Sequence, residues 1–516
     1  MSQTVSATTT AAPERPPLNR TMITLTVMLT SILQTLDNTI ANVALPKMQG
    51  SLSATQDQMT WVLTSYIVAA AIMTPLTGWL AGQFGRRRLF LASVVGFTIT
   101  SMFCGLAQTL PQIVLFRFLQ GLAGAALVPM SQAVLFDINP PENHGKAMAA
   151  WGQGVLLGPM LGPILGGWLT DNYSWRWVFY INVPLGILAF VGLLAFLPEG
   201  ETRRSRFDFF GFALLSIAIA ALQLVLDRGP LKDWFGSNEI WIEATVAGLA
   251  FYLFMVHSAT SPNPFIRPSL FKDRNFLTGN VFIFVVGIVL FATLALLPPL
   301  LQNLMNYPVY QAGLLTAPRS LGSLAAMLIV GRMVGKFDAR LIIGIGFGLT
   351  ALSLWLMTRF DIQMNGVPVF WSGVFQGLGT GIAYVPMAAM TFATLSPQFR
   401  NEGTALFSLT RNIGSSVGIS VVQALLVSNT QVVHAALAEH VSPYNLAARN
   451  PELLAQITSH TGAAAFNGAL TAQATMIAYI DDFQLMFILT LLAMPLLLLV
   501  RAAKSAPKNA PHVAAE

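Results

Sequence analysis

Long apolar runs broken by short charged or Pro/Gly-rich stretches set the pattern of this chain, and period and length read them as helices rather than strands. Fourteen runs stand out, at about 21–45, 59–82, 88–108, 112–136, 146–170, 176–196, 208–228, 239–257, 276–301, 310–334, 340–358, 367–392, 403–428 and 481–501. Crossing a bilayer takes about 20 apolar residues, so each run predicts one transmembrane helix. Between the last two lies a long polar stretch, 429–480, rich in Ala, Asn, Gln and Thr, which reads either as a disordered connector or as a docking surface for a partner. Asp481 and Asp482 then mark the outer boundary of the last span.

Composition agrees with that pattern. The chain has 516 residues, 54% hydrophobic and 10% charged, against about 25% charged in soluble domains. This is an all-α integral membrane protein. Its net charge of +6 is a matter of topology and does not argue for nucleic acid. With both termini cytoplasmic, nineteen of the 28 Lys and Arg fall on the cytoplasmic side, six fall outside and three lie within spans. Positive charge stays inside, which weighs against an odd span count, since that would invert every later loop. Residues 1–20 read as a disordered cytoplasmic tail without a cleavable signal, and 502–516 as a second cytoplasmic tail. Cys104 stands alone, so no internal disulfide forms.

The two ends of the chain repeat each other. Gly78-x-x-x-Gly82-x-Phe84-x-x-Arg87 recurs as Gly331-x-x-x-Gly335-x-Phe337-x-x-Arg340. Gln120-Gly121-Leu122 with Val128-Pro129-Met130 recurs as Gln376-Gly377-Leu378 with Val385-Pro386-Met387, and Gly158 and Gly162 recur as Gly414 and Gly418. An offset near 255 residues throughout implies a duplicated six-helix unit, 21–196 and 276–501, with a helix pair inserted at 208–257. Parallel repeats of this kind build one large class of secondary transporters, with substrate bound near the midplane between the halves.

One charge stands out against this background. Asp37 lies in residues 21–46, which carry no other ionisable side chain. A carboxylate at that depth costs about 2.5–3.5 kcal/mol on insertion scales and is a functional candidate by default. Low dielectric favours the uncharged acid, so such a group can load a proton and release it when wetted. The alternative is a structural pair with Arg117, the cation of span 4. Gln34 and Asn38 lie near the helical face of Asp37 and are candidate hydrogen-bond partners. Gln34, Asp37, Asn38 and Gln120 form the polar set expected at a large apolar substrate cavity, with Gln302, Asn303 and Gln376 as weaker members.

Five stretches together resemble the major facilitator superfamily, in its fourteen-span drug–proton antiporter group of the EmrB/QacA type. They are Leu36-Asp37-x-Thr39-Ile40-Ala41-Asn42-Val43-Ala44-Leu45-Pro46; Gly78 through Arg88; Arg117-x-x-Gln120-Gly121; Gly154-x-x-x-Gly158-Pro159-x-x-Gly162-Pro163-x-x-Gly166-Gly167; and Trp175-Arg176-Trp177-x-Phe179-x-Ile181-Asn182-x-Pro184. Leu226-Asp227-Arg228-Gly229, Asp233-Trp234-Phe235 and the 429–480 loop look most like the EmrB branch. The resemblance implies the major facilitator fold and proton-coupled export of hydrophobic, often cationic compounds by alternating access. It also implies a bacterial inner-membrane location, a periplasmic adaptor and an outer-membrane channel. Energy would come from the proton gradient, with no ATP, cofactor or metal.

By the same resemblance, Asp37 and Arg117 carry proton coupling, although a structural, carbonyl-bonding Arg117 is an equal reading. Gly154, Gly158, Pro159, Gly162, Pro163, Gly166 and Gly167 form a tight hinge at the interface of the halves, or ordinary small-residue packing. Gly78, Gly85, Arg86, Arg87, Arg88 and Arg340 belong to the gating loops, the arginines serving at least as topology determinants. The chain departs from the family where Gly82 replaces the usual Asp of the cytoplasmic latch; Asp338 in the second copy is the candidate substitute. Arg319 and Arg411 read as structural cations able to snorkel to an interface, and Asp227 and Glu243 as weaker coupling candidates near span ends.

A metabolite facilitator or importer on the same fold is the alternative, since fold does not fix function, and the Gly/Pro pattern of span 5 weighs against it. A membrane enzyme or receptor has no support: no phosphate-binding loop and no nucleophile–base spacing occur, and the six His are scattered.

Overall fold

A computed structural model describes residues 19–54, 56–140, 143–199, 202, 206–333, 337–396, 399–439 and 460–500. The first eighteen residues, Gly335 of the repeated motif and the 502–516 tail lie outside that set.

Apolar runs of 20 residues or more become helices because only a helix satisfies its own backbone inside a bilayer. In chain order they are α1 (Arg20–Leu52), α2 (Gln56–Phe84), α3 (Arg86–Leu106), α4 (Leu110–Gly124), α5 (Leu127–Ile138), α6 (His144–Asn172), α7 (Trp177–Tyr180) and α8 (Asn182–Phe196). The second part contains α9 (Phe209–Arg228), α10 (Asn238–Thr260), α11 (Arg274–Pro299), α12 (Val309–Met333), α13 (Ala339–Met357), α14 (Val367–Ala393), α15 (Arg400–Glu439) and α16 (His460–Ala493). The run expected at 112–136 is broken into α4 and α5, and that at 176–196 into α7 and α8. Among the described residues, twelve helical stretches are long and apolar enough to cross a membrane. The remaining two of the fourteen expected spans are α1 and α14, with 33 and 27 residues. Both have the length and fall short in apolarity, because α1 carries Thr30, Ser31 and Asp37 inward and α14 carries Gln376 among Gly373, Gly377, Gly379 and Gly381.

The sequence repeat has a structural counterpart. In the first unit α1 packs on α6, α2 on α4 and α3 on α4; in the second α11 packs on α15, α12 on α14 and α13 on α14. Gly158 and Gly162 of α6 lie against Thr35 and Thr39 of α1, and Gly414 and Gly418 of α15 lie against Phe284 and Ile288 of α11. The Gly stripe of α6 therefore turns toward α1 of its own half, while the helix also packs on α12 and α14 of the other half. Gly154 meets Met28 and Gly166 meets Ile40, also on α1, while Gly167 faces open space. The Thr35 hydroxyl donates to Val155 O (3.3 Å) and that of Thr39 to Gly158 O (3.2 Å), bonds that need the close approach glycine permits. The side chain of Pro163 lies outside the described set.

Contacts across the seam concentrate at the end carrying Arg86, Arg340 and Arg400. Gly78 of α2 packs on the backbone of Asn401 and Glu402, and Gly331 of α12 on Ala149 of α6. Those partners begin α15 and α6, so each half grips the other at equivalent places. The rings of Phe136 and Phe392 meet at 4.9 Å, and Gln132 Nε2 donates to the Tyr384 hydroxyl (3.1 Å). The protein is closed at its arginine-rich end.

The inserted pair closes the seam from the side. α9 packs on α10 and on both α2 and α15. Leu214, Leu215 and Ile219 of α9 join Ala71 of α2 and Leu409 of α15 in one apolar cluster.

The described parts of the stretch 429–480 are helical. α15 continues to Glu439 and α16 begins at His460, leaving residues 440–459 outside the described set. Alanine is the best helix former, and a helix beyond the bilayer has no need to be apolar. Asp481 and Asp482 fall inside α16, not at its start, and the Asp482 side chain is 0% exposed.

Candidate functional site

The interior of the first unit converges on Asp37. Helix α1 carries it at the level where α2, α3, α4 and the break between α7 and α8 meet. One carboxylate oxygen, Oδ2, accepts from Arg117 Nη1 at 2.7 Å. The other, Oδ1, accepts from Gln120 Nε2 at 3.0 Å and from Asn182 Nδ2 at 2.7 Å. Both ion-pair partners are buried, Asp37 at 0% and Arg117 at 1% exposed.

A further layer fixes these groups. Arg117 Nε donates to Val62 O (3.2 Å) and Nη1 also to Gln120 Oε1 (2.8 Å). Its guanidinium lies over the Tyr66 ring at 4.3 Å and near Phe179 at 5.8 Å. Asn182 Nδ2 also donates to Ser101 Oγ (3.0 Å), whose hydroxyl donates to Phe179 O (2.9 Å). The chain break at Ile181 makes this geometry: it ends α7 and starts α8 on Asn182, whose amide then reaches the carboxylate. A carboxylate with three donors, one of them a permanent cation, is a compensated buried charge, the arrangement in which such a charge is tolerated. Both readings of Asp37 start from this pair; separating it is what would free the acid.

The expected partners Gln34 and Asn38 do not reach Asp37. They flank the Tyr66 hydroxyl on a neighbouring face of α1. Asp37 and Gln120 do not line a cavity in this conformation, since both are 0% exposed. Gln302 and Asn303 sit in a π turn, Leu300–Leu304, after Pro298 and Pro299 at the far end of α11.

The second unit holds an uncharged copy of the site. Gln376 and Thr293 stand 256 residues after Gln120 and Asp37, and Gln376 Nε2 donates to Thr293 Oγ1 at 3.0 Å. Gly373 stands where Arg117 is in the first unit, and against it packs Arg319 of α12. The Arg319 side chain is 8% exposed, donates from Nη2 to Leu290 O (2.6 Å) and meets no carboxylate among the described residues. It is buried rather than snorkelled. Arg411 is half-buried beside Tyr384. Asp227 of the insert accepts from the Thr64 hydroxyl of α2, and Glu243 from Arg228 (3.3 Å).

At the arginine-rich end the acid of the latch is Asp137, a residue the motif comparison passed over. It pairs with Arg86 of its own half and with Arg400 Nη1 of the other (2.9 Å). Arg86 also donates to Asn401 Oδ1 (3.1 Å) across the seam. Asp338 is not the substitute for the missing Asp at Gly82, because its carboxylate caps α13 by accepting from Arg340 N (2.9 Å). Gly85 forms the turn into α3 at φ 86°, a left-handed value that favours glycine. Arg87 stays within its own half, donating to Leu194 O (2.6 Å), and Arg88 is exposed. The signal for Asp137 was present: an acid two spans after the arginine cluster, and so at the same end of the bundle, just before Asn139-Pro140-Pro141.

Comparison with known proteins gives these features a family. The sequence profile described as Major Facilitator Superfamily matches residues 27–276 and 279–438. The multidrug export protein EmrB of Escherichia coli (strain K12) is 38% identical over 427 residues, covering 82% of this chain and 83% of that one. The fatty acid resistance protein FarB of Neisseria gonorrhoeae is 37% identical over 425 residues, covering 82% and 84%. The crystal structure of the human organic anion transporter MFSD10 superposes with a TM-score of 0.59 at 15% identity, over 92% of this chain and all of that one, a likeness of fold alone. The chain belongs to the major facilitator superfamily, among its EmrB-type members.

Proposed function

We propose that this protein exports hydrophobic drugs, driven by protons flowing inward, by alternating access of its two halves. The observation that carries the proposal is the buried Asp37–Arg117 pair with Gln120 and Asn182. It is an acid and a permanent cation held at 2.7 Å inside the bilayer, in a chain 38% identical to a multidrug export protein. As the halves rock, a shift of α1 against α4 within the first half lengthens the pair and exposes the carboxylate to a proton; restoring the pair expels it. Drug and proton thus favour opposite openings. The positive-inside pattern supports a cytoplasmic arginine-rich end in a bacterial cell, and on that reading the closed end described above is the drug-loading gate.

The long helices support a tripartite assembly. At 1.5 Å per residue, the 40 residues of α15 span about 60 Å, twice the bilayer core of about 30 Å. The α15–α16 hairpin, tied by His434 to Asn467 (3.0 Å), is the surface proposed to dock a periplasmic adaptor leading to an outer-membrane channel.

The test is efflux of ethidium from cells, with and without a protonophore, for wild type and Asp37→Asn at matched expression. Collapse with protonophore and an inactive variant are expected. An Asp37→Asn variant that pumps normally sinks the assignment of Asp37, and accumulation of drug by expressing cells favours an importer. Arg319 favours a second reading of the substrate. Asp37 is already compensated, whereas Arg319 has no carboxylate partner among the described residues, so acidic amphiphiles are the competing class, in keeping with the resistance protein FarB. Selective loss of fluorescent fatty-acid export in Arg319→Gln decides for it.

A further inference from the structure

The second half contains an acid that the mechanism above does not use. Asp482 lies within α16, 0% exposed, and neither carboxylate oxygen has a hydrogen-bond partner among the described residues. Asp37 is as deeply buried but has three donors, one of them a cation. Along the same helix, Phe483 packs on Phe360 with ring centres 5.8 Å apart, and one turn beyond Asp482 the Met486 Sδ accepts from Thr293 Oγ1 at 3.8 Å.

The elements packed against α16 bring it no counter-charge. They are α15, α13, α11, the π turn and the final 3-10 turn Met494–Leu499. In α11 the only ionisable residue is Arg274, at its start, and in α13 it is Arg340, also at its start. In the connector after α13, Arg359 lies over the Trp355 ring at 5.0 Å and Asp361 accepts from Gln363 N. On α15, Arg400 is held by Asp137, Arg411 lies beside Tyr384, His434 bonds Asn467, and Glu402 and Glu439 sit near the two helix ends. The π turn and the final 3-10 turn have no ionisable side chain. On its own helix the nearby titratable groups are Tyr479 and Asp481, neither of them a cation.

An ionised carboxylate in that setting costs several kcal/mol, whereas an unsatisfied neutral polar group costs about 1–3 kcal/mol. The site therefore accommodates the uncharged acid. We propose that Asp482 is a second proton-binding site of the transport cycle, in the half opposite Asp37, occupied while the arginine-rich end is closed and emptied when that end opens. The step is the dissociation of one carboxylic O–H to carboxylate and a proton taken up by entering water. One conformation then holds the two acids in opposite states: Asp37 charged against Arg117, Asp482 neutral with no counter-charge among the described residues. This extends the proposed proton-driven cycle and rests on it.

The experiment is infrared spectroscopy of the purified protein in lipid nanodiscs at neutral pH, reading the carbonyl stretch of a protonated carboxylic acid. Wild type and Asp37→Asn should show a band that Asp482→Asn lacks. A band that survives in Asp482→Asn, or is missing from wild type, overturns the proposal. In Asp137→Asn, with opening of the arginine-rich end verified by thiol labelling of a cysteine placed at Ala149, the band should weaken. An unchanged band there makes Asp482 a static neutral acid and overturns its role in the cycle. Ethidium efflux separates the two levels: wild-type efflux indifferent to protonophore defeats the proton-driven reading itself. Protonophore-sensitive efflux that is undiminished in Asp482→Asn defeats only this inference.

Discussion

At the scale of single residues, compensation of charge decides what the interior can hold. Arg117→Gln leaves the Asp37 carboxylate buried with two amide donors and no cation. Breaking a buried pair in this way costs about 3–5 kcal/mol, and thermal unfolding in mild detergent should show it. The double variant Asp37→Asn/Arg117→Gln should recover much of the loss while staying unable to couple to protons. Asn182→Leu removes one charge-assisted bond, worth about 1.5–3 kcal/mol, and should destabilise less than Arg117→Gln in the same assay. Asp37, Arg117 and Gln120 were legible in the sequence, because a charge or amide inside an apolar run is visible without any fold. Asn182 and Ser101 were not assigned, because their part depends on helices up to 145 residues apart meeting at one point.

Elements obey a different constraint, the distance between their backbones. A β-carbon added at Gly158 would stand 2.2 Å from Thr35 Oγ1 and 2.8 Å from Leu36 N, whereas one at Gly167 meets nothing within 4 Å. Gly158→Val should therefore separate α1 from α6 and abolish drug export with loss of stability. Gly167→Ala should stay within about 0.5 kcal/mol of wild type, as surface substitutions do. Comparing the unfolding temperatures of the two variants checks the assignment of the stripe to the α1 face. A small-residue stripe tells that a helix is closely approached. Which neighbour approaches is set by the rotation of the helix in the bundle: α6 packs on α12 and α14 of the other half, yet Gly158 and Gly162 turn toward α1. The stretches 429–439 and 460–480 show the converse: they are helical, as their Ala content favours, and their low apolarity spoke only to the bilayer.

For the whole molecule, the question is how the closed end is held. Asp137 joins Arg86 and Arg400 from opposite halves, each side chain less than a third exposed. Partly solvated pairs are worth about 1 kcal/mol or less each, so Asp137→Asn should shift the balance toward opening by roughly tenfold without unfolding the protein. Labelling of a cysteine at the Ala149–Gly331 contact is the measurement, and unchanged labelling would remove Asp137 from the latch. The insert is expected to steady the same seam at the side, since α9 touches α2 through Asp227 and Thr64 and touches α15 where Ser420 donates to Leu226 O.

By itself the sequence determined the helical membrane class, the internal duplication and the one acid in its first span, because hydropathy, repeat offset and isolated charge are properties of the chain in order. Tertiary structure alone decided that Asp37 meets Arg117, Gln120 and Asn182 together, that the Gly stripe faces α1, that Asp137 joins arginines of both halves, and that Asp482 has no counter-charge among the described residues. Each of these is a distance between residues far apart in the chain, fixed only when the helices take their rotations and depths.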